Sequence, residues 1–167
     1  MKFSPKYILT AGYILGFINI GSLILGIGWI MLGNKFKQKV WFATGILGII
    51  AFATLLLNAY NQIINVFSFA IPFSIPKFDN DVNLYYALFV TFIAFYILQL
   101  ISLWTASAEF ETGLIRVSSI LFGVNFILFF FNLTNLVIAV IASVLCAAGF
   151  YLLKEKKKKI GLVSPQF

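Results

Sequence analysis

The sequence contains no histidine and only one cysteine, Cys146. Without imidazole, the commonest haem, copper and zinc ligand sets cannot form, and the commonest general base is absent. One cysteine can neither close an intrachain disulfide nor hold an iron–sulfur cluster by itself. We therefore expect no cofactor and no metal, and the composition argues against intrinsic redox catalysis.

Charged residues are scarce as well, and they are confined to short segments between apolar runs. They make up 10% of the chain, whereas soluble domains carry roughly 25%. Placing one charge at the centre of a membrane helix costs about 2.5–3.5 kcal/mol on insertion scales. This pattern predicts an all-α integral membrane helical bundle, folded as a single transmembrane domain. No carboxylate lies inside an apolar run, which argues against a proton relay. We expect no enzymatic activity.

The lengths of the apolar runs predict five transmembrane helices. They are expected at about residues 7–32, 40–66, 84–107, 114–131 and 135–153, followed by a basic cytoplasmic tail at 154–167. The last apolar region is too long for one crossing at about 1.5 Å per residue, and the segment Asn132–Asn135 offers a turn. Without that turn, four spans would result. A loop containing two prolines is expected between Phe67 and Asn83.

The lysines are distributed unevenly over the predicted connections. With five spans, one side of the membrane receives Lys35, Lys37, Lys39, Arg116 and the lysines of the tail; the other receives Lys2, Lys6 and Lys77. Since cytoplasmic loops carry an excess of Lys and Arg, we predict a multi-pass protein of the cell membrane with its N-terminus outside and its C-terminus in the cytoplasm.

The same basic residues are candidates for contact with anionic lipid headgroups. The predicted contacts are Lys35, Lys37, Lys39, Lys154, Lys156 and Lys157. Because these charges flank apolar runs, the net charge of +7 indicates a membrane protein, and no nucleic-acid partner is expected.

Small residues recur at helical spacing, beginning with a G-x-x-x-G pattern at Gly12 and Gly16. Small side chains let membrane helices approach closely, where lipid supplies no hydrophobic drive for association. The candidate packing residues are Gly12, Gly16, Ser22, Gly26, Ala139 and Ser143, and Thr44 and Gly48 repeat the spacing in the second predicted helix. Such a face could serve either a partner subunit or helix contacts within the chain.

Three amide side chains, Asn19, Gln99 and Asn125, lie at predicted membrane depth. Facing one another, they would form an interhelical hydrogen-bond cluster or line a small polar cavity. A substrate path is the functional interpretation, and structural hydrogen bonding between helices is the simpler one.

The segment Ala106–Leu153 combines an acidic-Thr-Gly link at Glu111–Gly113 with Arg116 shortly after it and two closely joined apolar helices. In these features it resembles the C-terminal part of the family catalogued as domain of unknown function 996, small archaeal and bacterial multi-span membrane proteins. The proline-containing loop departs from that family's pattern. The resemblance implies an integral membrane protein, and it carries over no activity and no functional residue.

Two functional hypotheses follow. The first is a non-catalytic accessory or assembly subunit of a larger membrane complex, suggested by the small-residue faces. The alternative is a small oligomeric transporter or channel for a neutral or lipid-like substrate, suggested by the amides. The expected partners are membrane lipids, together with other membrane subunits or further copies of this chain.

Overall fold

The described part of the chain folds into six helices. A computed structural model describes residues 4–15, 20–67, 81–131, 133 and 135–153, with the backbone alone at 61–67, 81–85 and 88. In these residues we number the helices α1 (Pro5–Ile14), α2 (Gly21–Phe36), α3 (Lys39–Phe67), α4 (Asp81–Glu109), α5 (Gly113–Phe130) and α6 (Leu136–Tyr151). The predicted all-α class is confirmed for the residues described.

The helices form a closed ring. Each one packs against the next in the chain, and α1 packs against α6. Neighbours run antiparallel: the α1–α2 contacts pair Gly12 with Leu25 and Leu9 with Gly28. The α1–α6 pair is antiparallel too, because the Thr10 hydroxyl lies 3.4 Å from Ala147 O while Lys6, earlier in the chain, bonds beyond the end of α6.

The prediction of one helix over residues 7–32 is wrong. Helix α1 ends at Ile14 and α2 begins at Gly21, so this apolar run folds back on itself. The contact is close, since a Cβ added at Gly12 would lie 2.8 Å from the Leu25 side chain. The missing glycine side chain permits this approach. A run whose polar residues are only Thr10, Asn19 and Ser22 gives no periodicity from which the break could be predicted.

The boundaries of the other four helices agree with the sequence within a few residues. The last apolar region divides into α5 and α6 as predicted, so its reading as a single span is wrong. Asn135 caps α6: its side-chain oxygen accepts hydrogen bonds from Val137 N at 2.9 Å and Ile138 N at 3.4 Å. Helix α4 begins at Asp81, before the predicted end of the loop, and 68–80 fall outside the described residues.

The distribution of side chains is that of a membrane protein. Three segments in the described residues are long and apolar enough to cross a bilayer: Lys39–Tyr60, Phe89–Glu109 and Gly113–Phe130, and Leu136–Tyr151 is a shorter apolar helix. Large apolar residues such as Val90 and Val137 are more than 60% exposed, whereas Ser102 and Ser118 are fully buried. Soluble proteins bury their large apolar residues and expose their polar ones, so the opposite distribution fits a bundle surrounded by lipid.

Both ends of the described chain lie at the same end of the ring. The Lys6 ammonium donates to the carbonyl oxygen of Leu153 at 3.1 Å, and the rings of Tyr7 and Tyr151 are 6.2 Å apart. The sequence predicted termini on opposite sides of the membrane, whereas Lys6 and Leu153 lie together at one end of the ring. Dividing the first apolar run into two antiparallel helices reverses the direction of α1 relative to the single helix predicted from sequence.

Candidate functional site

A polar cluster lies inside the ring around Tyr13 of α1. Its hydroxyl oxygen accepts a hydrogen bond from Gln99 Nε2 of α4 at 3.1 Å, and both residues are buried. The Tyr13 ring is stacked on Phe150 of α6, with centroids 5.8 Å apart, and lies 6.1 Å from Phe122 of α5. One side chain of α1 therefore contacts three other helices.

Trp29 of α2 and Cys146 of α6 complete this central cluster. Both are fully buried, and both lie beside the Tyr13 hydroxyl. The Trp29 ring packs edge-on against Phe150 at 5.7 Å. Its indole nitrogen is buried, and it has no hydrogen-bond partner among the residues that the structure describes. Such a buried donor is uncommon and requires a physical explanation.

A second polar contact joins α3 to α4 near the basic end of the ring. Thr44 and Ser102 share a hydrogen bond of 2.7 Å, and Trp41 Nε1 donates to Thr105 Oγ1 at 2.8 Å. The paired groups satisfy one another, so this contact serves helix association. It leaves the buried Trp41 indole bonded, in contrast to that of Trp29.

Most predicted small-residue positions lie in contacts within the chain. Gly12 of α1 packs against α2. Gly26 of α2 packs against α3, where a Cβ added at Gly26 would lie 2.8 Å from Gly45 O. Ser22 O lies in the same interface, opposite Gly48. Ser143 is buried and Ala139 is half-buried on α6, while Gly16 lies outside the described residues. The intrachain interpretation thus accounts for Gly12, Ser22 and Gly26.

Two members of the predicted amide cluster, Gln99 and Asn125, bond different partners. Gln99 bonds Tyr13, whereas the Asn125 side-chain oxygen accepts from Asn135 N at 3.1 Å. No hydrogen bond joins these two amides in the described structure, and Asn19 lies outside the residues it describes. Tyr13 and Trp29 could not be selected as site residues from the sequence, because an aromatic residue inside an apolar run carries no signal that distinguishes a site from a core.

Asn125 borders a crevice between α4 and α5. The crevice has a volume of about 150 Å³ and is partly open to the surroundings; its lining residues are Phe89, Phe92, Ile93, Tyr96, Asn125, Phe126 and Phe129. The stacked rings of Tyr96 and Phe126, with centroids 4.9 Å apart, form part of its wall. The Tyr96 hydroxyl donates to Phe122 O at 3.2 Å, so its hydrogen is already used, and Asn125 is the polar group left at the crevice.

Cationic side chains of the described residues collect at the end of the ring where α1 begins. Lys35, Lys37 and Lys39 are exposed around the α2–α3 turn, and Arg116 near the start of α5 lies 4.8 Å from the Trp104 ring centroid. Lys37 adopts a positive φ of 57° and ends α2. The remaining predicted lipid contacts, Lys154, Lys156 and Lys157, lie outside the described residues.

These features define a helical membrane protein with an internal polar cluster and a lateral crevice. In the part of the chain described, no group of three or more His, Cys, Asp or Glu side chains is placed to hold a metal ion. No family model, curated protein or solved structure matches this chain. Its function must therefore be argued from its own geometry.

Proposed function

We propose that this protein is a non-catalytic membrane protein that takes up a neutral, lipid-like molecule from the bilayer, as a transporter or carrier of that molecule. The crevice between α4 and α5 is the observation that supports the proposal. It lies within Phe89–Glu109 and Gly113–Phe130, two of the segments long enough to cross a membrane. The molecules present at that depth are lipids and solutes dissolved in lipid.

The lining of the crevice selects for a neutral apolar occupant. Aromatic and aliphatic side chains form nearly all of it, and no charged residue lines it. An apolar cavity of about this size holds a molecule as large as benzene, which corresponds to a short section of a hydrocarbon chain or ring system. The amide of Asn125 offers one hydrogen bond to a hydroxyl or carbonyl group. An ionic headgroup would find no partner there.

Photocrosslinking tests this function. The protein is reconstituted in phosphatidylcholine vesicles with a trace of a diacylglycerol whose acyl chain carries a diazirine. We expect crosslinks on α4 and α5 around the crevice. Ile93→Trp fills the crevice and should lower this crosslinking at least about fivefold, whereas Ile97→Trp, at a lipid-facing position one turn along α4, should leave it unchanged. Crosslinks spread evenly over all helices, or unaffected by Ile93→Trp, would refute the proposal.

We further propose that both ends of the described chain face the cytoplasm. The charge asymmetry of the ring supports this orientation, because Lys6, Lys35, Lys37, Lys39 and Arg116 all belong to one end of it. No Lys or Arg of the described residues belongs to the other end. Lys and Arg near span ends set orientation, whereas Asp and Glu contribute little, so Glu109 and Glu111 do not offset this bias.

Labelling of introduced cysteines tests the orientation. Lys37→Cys and Leu133→Cys place exposed thiols at opposite ends of the ring, while Cys146 is fully buried and provides the background. A membrane-impermeant maleimide should reach position 37 only from the cytoplasmic side and position 133 only from outside. Reaction of both positions from one side would contradict the arrangement.

The accessory-subunit hypothesis remains a prediction from sequence. On this hypothesis, the small residues are expected to form a docking face for a partner subunit. Gly12 and Gly26 instead pack against helices of the same chain, so they give less support to that hypothesis. Purification in mild detergent separates the two hypotheses: a stoichiometric partner supports the accessory role, whereas a monodisperse chain without other proteins supports a transporter or carrier.

A further inference from the structure

The central cluster contains more hydrogen-bonding capacity than its own members use. The Trp29 indole N–H is a donor without a described partner. Gln99 uses its amide nitrogen on Tyr13, which leaves its side-chain oxygen as an acceptor. The Tyr13 hydroxyl receives that bond and has one hydrogen to donate, for which the Cys146 sulfur beside it is the other acceptor.

From this imbalance we infer that the cluster is a binding site for one water molecule, held between the Trp29 N–H, the Gln99 amide oxygen and the Tyr13 hydroxyl. A single water can accept from the indole and donate to the amide. Buried waters commonly make about three hydrogen bonds to otherwise unsatisfied polar groups, and this cluster supplies that number.

The surroundings restrict the occupant to a small neutral molecule. The three side chains are at most 9% exposed, and the rings of Phe122 and Phe150 cover the Tyr13 side. An ion at this depth would need an opposite charge or several ligands, and the described residues at the cluster are all uncharged. A molecule that only accepts or only donates would leave one group unpaired.

The site follows from tertiary structure and is independent of the crevice. Trp29 comes from α2, Tyr13 from α1 and Gln99 from α4, so the water would join three helices of the ring. Loss of the crevice function would leave this inference standing, since the two regions share no residue.

Nuclear magnetic resonance of the indole groups provides the test. The chain has three tryptophans, which ¹⁵N-indole labelling in lipid nanodiscs resolves. We expect the Trp29 Hε1 proton to have the shift of a hydrogen-bonded group and a cross-peak to a bound water. Trp41 is the matched control: it is 1% exposed and bonds Thr105, so it should have a bonded shift and no water cross-peak.

Substitutions identify the signal and test the cluster. Trp29→Phe assigns the signal; should that variant misfold, Trp41→Phe and Trp104→Phe assign it by elimination. Gln99→Leu should abolish the water cross-peak of Trp29, whereas Tyr96→Phe, which removes a hydrogen bond elsewhere, should preserve it.

Two results would overturn the inference. The first is a Trp29 proton with a non-bonded shift and no water cross-peak, which would mean an empty site. The second is a bonded shift without water that is lost in Tyr13→Phe, which would mean that the indole donates directly to the Tyr13 hydroxyl.

Discussion

Replacing Gly45 by alanine should open the interface between α2 and α3. A Cβ at this position would lie 2.6 Å from both the oxygen of Gly26 and the backbone nitrogen of Ile30. Backbone atoms cannot move aside as a flexible side chain does, so the two helices must separate. Overpacking costs about 1–3 kcal/mol, and alanine recovers about 0.5–1 kcal/mol of helix propensity relative to glycine. We expect a net loss of about 1 kcal/mol, and at most about 2.5 kcal/mol, in the free energy of unfolding.

Gly123→Ala is the matched control for this substitution. It makes the same chemical change inside α5, at a position where an added Cβ meets no other atom within 4 Å. Only the gain in helix propensity from glycine to alanine should therefore affect the free energy of unfolding. The variant should be as stable as the original protein or slightly more stable. The difference between the two variants isolates the cost of the close approach.

Reversible unfolding in mixed micelles measures the free energy of unfolding of both variants. A denaturing detergent is titrated into a mild one, and helicity and tryptophan fluorescence are followed. A loss of 1.4 kcal/mol corresponds to about a tenfold change in the unfolding equilibrium constant, which such titrations resolve. Equal stabilities for Gly45→Ala and Gly123→Ala would refute the packing of α2 against α3 at this position.

Three smaller perturbations should follow from the hydrogen bonds of the described residues. Asn135→Ala removes the cap of α6 and should cost about 1 kcal/mol, whereas Asn135→Asp should retain most of it; the same micelle titration compares them. Ser102→Ala removes the bond to Thr44 and should cost about 0.6 kcal/mol, measured against Thr91→Val, whose exposed hydroxyl bonds only its own helix. Tyr13→Phe removes the bond from Gln99 and should cost a similar amount; an unchanged unfolding curve would contradict the burial of that pair.

The helix boundaries that could be predicted are those with local chemical signals. Asn135 ends an apolar region with a capping side chain, and the basic Lys35–Lys39 turn separates two runs that are each long enough to be a helix. These signals act within a few residues, so the sequence displays them directly. The division of residues 7–32 has no such signal, because glycine is compatible with both a straight helix and a close hairpin.

The candidate site was harder to predict for the same reason. Gln99 and Asn125 could be selected because amides are rare inside apolar runs, but their partners could not. Gln99 pairs with Tyr13, which lies 86 positions earlier in the chain, and Asn125 borders a crevice that exists only where α4 and α5 meet. An aromatic side chain such as Trp29 has the same place in an apolar pattern whether its N–H is bonded or not.

The sequence by itself determined the solvent of this protein. The cost of burying charge in hydrocarbon places every Lys, Arg, Asp and Glu between the apolar runs, and that constraint is local and additive. Only the tertiary structure decided how the helices close into a ring, at which end of it Lys6 and Leu153 meet, and which polar groups meet inside. Those outcomes depend on contacts between distant segments, where a missing side chain at Gly12 or Gly45 determines how closely two backbones approach.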